Sequence, residues 1–141
     1  MLDNIMNFLF GRNNNRGNMS GIFGFKNRNR NNNLVYNLIS YDEAKNMIEQ
    51  NKVKLIDVRT KNEYDILHIK GAINICVADI EKKIYIYDQN EKLMIYCSSG
   101  QRARNAIQIL NSLGYGNIYI WEYAALATFP FKNMLDYSYN N

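Results

Sequence analysis

From residue 34 onward, short apolar β-rich runs alternate with helix-start signals, and this alternation leaves few folds open to the chain. "LVYNLI" (34–39) reads as a strand. Ser40 follows with Glu43 three residues later, a capping box that opens a helix with Ala44, Met47 and Ile48 on one face. "VKLIDV" (53–58) is apolar almost throughout, as a strand covered on both faces must be. A second capping box, Thr60 and Glu63, starts a helix through about Leu67. "GAINICV" (71–77) is a strand after a glycine turn, and a weaker helical stretch covers 78–83. "KLMIYC" (92–97) is a buried strand. "QRARNAIQILNSLG" places Ala103, Ala106, Ile107, Leu110 and Leu113 at helical spacing, with Gly114 as the stop. "NIYIW" (117–121) is a last strand, and short helices are expected over 122–137 around Pro130. Five strands alternating with helices imply right-handed crossovers and a parallel sheet with helices on both faces.

The 141 residues leave room for one such domain and a tail. Residues 1–33 carry Arg12, Arg16, Lys26, Arg28 and Arg30 against Asp3, whereas 34–141 hold equal numbers of basic and acidic side chains, so the net charge of +4 is a property of the tail. A neutral domain gives no footprint for nucleic acid. Residues 11–33 are dominated by Asn, Gly and Arg and are expected to be a flexible linker, too poor in apolar surface to offset the entropy of ordering. Leu2, Ile5, Met6 and Leu9 have helical spacing, enough for a short amphipathic helix, but a frayed tail is the simpler expectation. No apolar run is long enough for a transmembrane segment. The opening residues lack the basic and small-residue features of a secretory signal. With two cysteines, Cys76 and Cys97, there is no disulfide framework, and a reducing, cytoplasmic setting is expected.

In parallel α/β sheets, ligands bind where a strand's carboxyl end leads into a helix, and Cys97 falls at such an end. Ser98, Ser99 and Gly100 are small enough for successive backbone N–H groups to converge on one point. The helix starting near Gln101 offers its unpaired N–H groups and positive dipole end to the same point. An anion is favoured there, and a thiolate is one, so Cys97 is expected as a nucleophile. Arg102 adds fixed charge that can grip a sulfonate or phosphate, or tie the loop to its walls. The bland alternative is a cysteine that merely packs.

The loop, Cys97, Gly100, Arg102 and Ala103, resembles the active-site loop of the rhodanese family. Upstream, "LIDVRTKNEYDILHIKGAINI" (55–75) resembles that family's second signature at Asp57, Arg59, Glu63, Tyr64, His68, Gly71 and Ala72. The resemblance covers roughly residues 37–131. It implies a three-layer α/β/α sandwich around a five-stranded parallel sheet over 34–141. It also implies a sulfurtransferase whose Cys97 carries a persulfide, with Ser98, Ser99, Gly100, Gln101 and Arg102 around the substrate. Asp57, Arg59, Glu63 and His68 are then structural supports. No cofactor or metal is implied. The implied partners are a small sulfur donor, thiosulfate or a persulfide, and a thiol acceptor such as a thioredoxin-like or sulfur-carrier protein.

Two alternatives stand beside it. Related phosphatases and arsenate reductases place five residues between Cys and Arg, whereas here Ser98 to Gln101 make four. A non-catalytic module for sulfur carriage or partner binding is the other. Cys76 stands where relatives often have proline; it is a bystander, or a resolving thiol. Where relatives often carry Gly-Gly before an aromatic, this chain has Glu122 and Tyr123. A looser turn is expected there, with Glu122 lining the site mouth and disfavouring anionic donors.

Overall fold

The computed structural model of the chain describes residues 26–29 and 34–138. The amphipathic pattern at residues 2–9 lies outside them. The parallel sheet contains β2 (Leu34–Leu38), β3 (Lys54–Asp57), β5 (Ile73–Asn74), β6 (Leu93–Tyr96) and β7 (Ile118–Ile120), in the order β2-β7-β6-β3-β5. A sixth strand, β1 (Lys26–Asn29), pairs antiparallel with β2 at the edge, inside the segment expected as a linker. Helices α1 (Tyr41–Glu49), α2 (Lys61–Ile66), α3 (Ile80–Lys83) and α4 (Gln101–Ser112) connect the strands. This is the expected α/β sandwich.

Strand β6 lies between β7 and β3, and all four of its residues are buried. Alternate side chains therefore feed opposite cores. Leu93 and Ile95, with Cys97 just beyond, pack with Ile56, Val58, Ile107 and Leu110 under α3 and α4. Met94 and Tyr96 pack with Ala44, Trp121 and Phe129 on the other face. The apolar stripe read on 103–113 is the face that α4 buries: Ala103, Ala106, Ile107 and Leu110.

Helix starts follow their caps. Thr60 and Glu63 form a complete capping box. At Ser40 only half forms: its hydroxyl accepts from Glu43 N at 3.1 Å, while the Glu43 carboxylate does not return the bond. Two expectations need correction. The strand read over 71–77 is only Ile73–Asn74, because the chain turns into a 3₁₀ segment at Val77–Asp79. The stretch 122–137 is not helical throughout: after short 3₁₀ turns, β8 (Leu135–Tyr137) pairs antiparallel with β4 (Leu67–Ile69), which follows directly on the end of the second helix. No helix among the described residues is long and apolar enough to cross a membrane.

The two-faced core predicts a contrast. Ile107→Ala removes a side chain that is 1% exposed and should cost about 2–5 kcal/mol. Ile86→Ala, at 66% exposure, should stay within about 0.5 kcal/mol of wild type. Urea midpoints at constant m-value are the measurement; equal shifts would contradict this core assignment.

Candidate active site

The C-terminal edge of the sheet gathers three loops. Cys97 leaves β6 in the middle, Val58–Thr60 leave β3 on one side, and Trp121–Ala125 leave β7 on the other. Cys97 is bonded to the segment after β7 and to its own loop and helix. Its N–H donates to Ala124 O at 3.0 Å, and its carbonyl accepts from Leu126 N at 2.8 Å. Its sulfur accepts from Gly100 N at 2.9 Å and Ala103 N at 3.3 Å. Of the three loop amides expected to converge, that of Gly100 reaches the sulfur, and Ala103 N is a second donor that the sequence reading did not single out. Gly100 reaches this geometry with φ of 104°, a left-handed conformation costly for any side-chain-bearing residue. Cys97 is 1% exposed, so the sulfur sits at the base of the loop.

Around that sulfur, the N–H groups of Ser98, Ser99, Gln101 and Arg102 have no hydrogen-bond partner among the described residues. Ser99 and Gln101 have exposed side chains at the lip. Arg102 is not an open cation. Its Nη1 donates to Glu63 Oε1 at 2.6 Å and its Nη2 to Glu63 Oε2 at 3.0 Å. The same Nη2 donates to Ser98 Oγ at 3.2 Å, and that hydroxyl donates to Glu63 Oε2 at 3.1 Å. Thr60 adds its N–H and hydroxyl to Glu63 Oε1. Glu63 thus ties the start of α2 to the loop after Cys97, in addition to closing its capping box. The Arg102 guanidinium, foremost, and then the Thr60 and Ser98 bonds outweigh partial burial and hold the Glu63 carboxyl at about 2.

Asp57 and Arg59 form a second, deeper pair. Arg59 Nε reaches both Asp57 oxygens at 3.0 and 3.1 Å, and Nη2 reaches Oδ2 at 2.7 Å and also donates to Leu67 O. Asp57 is fully buried and Arg59 is 5% exposed. Burial opposes the Arg59 charge, yet the Asp57 bonds and charge prevail and raise its pKa. Asn74 Nδ2 donates to the carbonyls of both Asp57 and Arg59, joining β5 to this turn. His68 lies apart from the sulfur. Its ring stacks on Tyr64 with centroids 3.8 Å apart, its Nδ1 meets Tyr64 O at 2.7 Å, and its Nε2 faces Asp136 Oδ2 at 3.7 Å. Cys76 is half-buried, unbridged and in neither apolar cluster.

The turn after β7 differs from expectation. It is tight: Tyr123 has φ of 68° and Ala124 of 49°, consecutive left-handed residues without a glycine. Such conformations cost L-residues about 1–2 kcal/mol each. The bonds from Cys97 to Ala124, from Ala124 N to Trp121 O, and from Trp121 Nε1 to Ala125 O (3.1 Å) hold them in place. Glu122, half-buried and without an ion pair among the described residues, stands at the entrance to this turn.

A central parallel strand ending in a cysteine, with helix-start amides bonded to its sulfur, sets an α/β fold whose loop suits a negative charge at that point. The family model of the Rhodanese-like domain matches residues 40–123, and the chain belongs to that family. Among its relatives, Thiosulfate sulfurtransferase PspE of Escherichia coli is 34% identical over 65 residues, 45% of this chain and 62% of the relative, so the chain spans less than two thirds of that protein. Thiosulfate:glutathione sulfurtransferase of Saccharomyces cerevisiae is 32% identical over 93 residues, 55% of this chain and 67% of that protein. A solved Rhodanese-like Domain Protein from Staphylococcus aureus superposes with a TM-score of 0.61 at 26% identity, covering 71% of this chain and 96% of the other.

The Glu63 clamp has a pH signature. Its pKa in the fold, about 2, lies below the ordinary 4.5. Its stabilising contribution is thus complete above pH 4.5 and lost as pH falls from there towards 2. Wild type should lose stability more steeply than Glu63→Gln across that window, with the gap between their urea midpoints closing as pH drops. A gap independent of pH would refute the clamp.

Proposed function

We propose that this chain is a sulfurtransferase that moves sulfane sulfur from a small donor to a thiol acceptor through a persulfide on Cys97. The carrying observation is the pair of amides, Gly100 N and Ala103 N, bonded to the Cys97 sulfur inside a loop whose other N–H groups are unpaired. The first two stabilise negative charge on the inner sulfur. The amides of Ser98, Ser99, Gln101 and Arg102, without partners among the described residues, are the donors this reading gives to the charge on a second sulfur.

In the first half-reaction the Cys97 thiolate attacks the outer sulfur of the donor. The donor's S–S bond breaks as the new one forms; with thiosulfate, sulfite departs with the bonding pair and Cys97–S–S⁻ remains. In the second, an acceptor thiolate attacks the outer sulfur, and Cys97 leaves as thiolate. Charge and electrons balance in each step, and no oxidant is required. Acceptors of this chemistry include a dithiol, a thioredoxin-like protein, a sulfur-carrier protein and cyanide.

Arg102 acts as a loop tie in this reading, since its fork is taken by Glu63. Asp57, Arg59 and Glu63 position the loops, and His68 supports the β4–β8 contact. With four residues between Cys97 and Arg102, the loop is shorter than the five-residue spacing of related phosphatases. Two unbridged cysteines suit a reducing compartment such as the cytoplasm.

Intact-mass analysis tests the reading. After incubation with thiosulfate or an alkyl thiosulfonate, wild type should gain one sulfur, ~32 Da, reversed by dithiothreitol and missing in Cys97→Ser. No adduct with any donor would overturn it, as would aryl phosphate hydrolysis abolished by the same substitution.

A further inference from the structure

The charge at this edge of the sheet says which donors the site takes. Arg102 is held by both oxygens of Glu63, and Arg59 by both oxygens of Asp57. Lys61, at the start of α2, is paired with Asp65, and Asp79, before α3, lies 3.7 Å from Lys83. Arg104, farther along α4, interacts with Tyr36 of β2. The loop residues Ser98, Ser99, Gly100 and Gln101 are uncharged. Glu81 and Lys82 of α3, exposed and without ion pairs among the described residues, offset each other. Glu122 is left, half-exposed and without an ion pair among the described residues, two residues before the carbonyl that holds the Cys97 N–H. Glu63 stays a carboxylate at every working pH, so its hold on Arg102 does not relax.

The positive potential here comes from backbone amides and the α4 dipole. Those are short-ranged and converge on the sulfur itself. A donor's second charged group stays outside the cradle, beside the segment after β7, where the charge left unbalanced among the described residues is that of Glu122. For thiosulfate that group is the sulfonate, and Cys97 at 1% exposure leaves it little room to descend.

We infer that this site selects sulfur donors by charge, favouring neutral, zwitterionic or singly charged sulfane sulfur over dianions, with Glu122 as the specificity-determining residue. This rests on the sulfur-transfer reading above. The step is the same for each donor: Cys97–S⁻ attacks the outer sulfur of R–SO₂–S⁻, the S–S bond is exchanged, and the sulfinate R–SO₂⁻ leaves.

The test uses the full chain and donors differing in charge: thiosulfate (dianion), methanethiosulfonate (monoanion) and 2-aminoethanethiosulfonate (zwitterion). Single-turnover rates of adduct formation at low ionic strength are read by intact mass, each divided by the rate with a free small thiol to remove intrinsic reactivity. The normalised rates should rise from dianion to zwitterion. Glu122→Gln should raise the thiosulfate rate about threefold relative to the zwitterion, and Glu122→Lys about tenfold. Glu63→Gln, which frees the Arg102 charge, should move the ratio in the same direction. A thiosulfate-to-zwitterion ratio unmoved by both Glu122 variants, or wild-type preference for the dianion, overturns the charge selection while leaving sulfur transfer standing. Adduct with no donor at all fails the sulfur-transfer reading first, and the inference with it.

Discussion

Four hydrogen bonds converge on one residue. The Cys97 sulfur takes two amides from its own loop and helix, while its peptide N–H and carbonyl are held by Ala124 and Leu126 of the next strand's exit. Each of these bonds presupposes the others. The loop closes over the sulfur only if α4 starts at Gln101, and the segment after Trp121 reaches Cys97 only if β7 lies beside β6. The geometry around the Cys97 sulfur therefore depends on the order of strands in the sheet, and a loop of this sequence in isolation would not hold it.

Two arginine–carboxylate pairs stiffen the walls of this arrangement. Asp57 with Arg59 is buried, and in such pairs the desolvation cost roughly offsets the attraction, so geometry is its main product. It fixes the turn after β3 and, through Leu67 and Asn74, the neighbouring β4 and β5. Glu63 with Arg102 is half-exposed and links α2 to α4 across the mouth. Because both guanidinium forks are engaged, the positive character around the sulfur is left to the backbone amides of Gly100 and Ala103. The same economy appears at Tyr123 and Ala124, where left-handed strain persists because the bonds to Cys97 and Trp121 over-determine the turn.

Much of the fold was legible locally. The α2 start lies in Thr60 and Glu63, three residues apart, and α4 in the apolar spacing from Ala103 to Leu110. The uninterrupted apolar run of β6 already implied a strand covered on both faces. What stayed hidden was weakly encoded. Strand β8 pairs with β4 across almost seventy residues and is three residues long, so no period could distinguish it from the turns before it. Strand β1, "KNRN", carries no apolar signal, and its register comes from the edge of β2. The left-handed turn at Tyr123 was unreadable because neither residue favours it; only the partners it meets make it stable.

The candidate site divides in the same way. Residue type and spacing alone determined that a cysteine would leave a buried strand, pass through small residues and enter a helix, because hydrophobic pattern, loop size and helix-start chemistry act over a few neighbours. The tertiary fold decided what those residues do to one another. It spent Arg102 on Glu63, set His68 against Tyr64 and Asp136, and brought Ala124 to the cysteine's peptide. Pairing energies depend on distance in space, and segments from different strands are neighbours only once the sheet has formed.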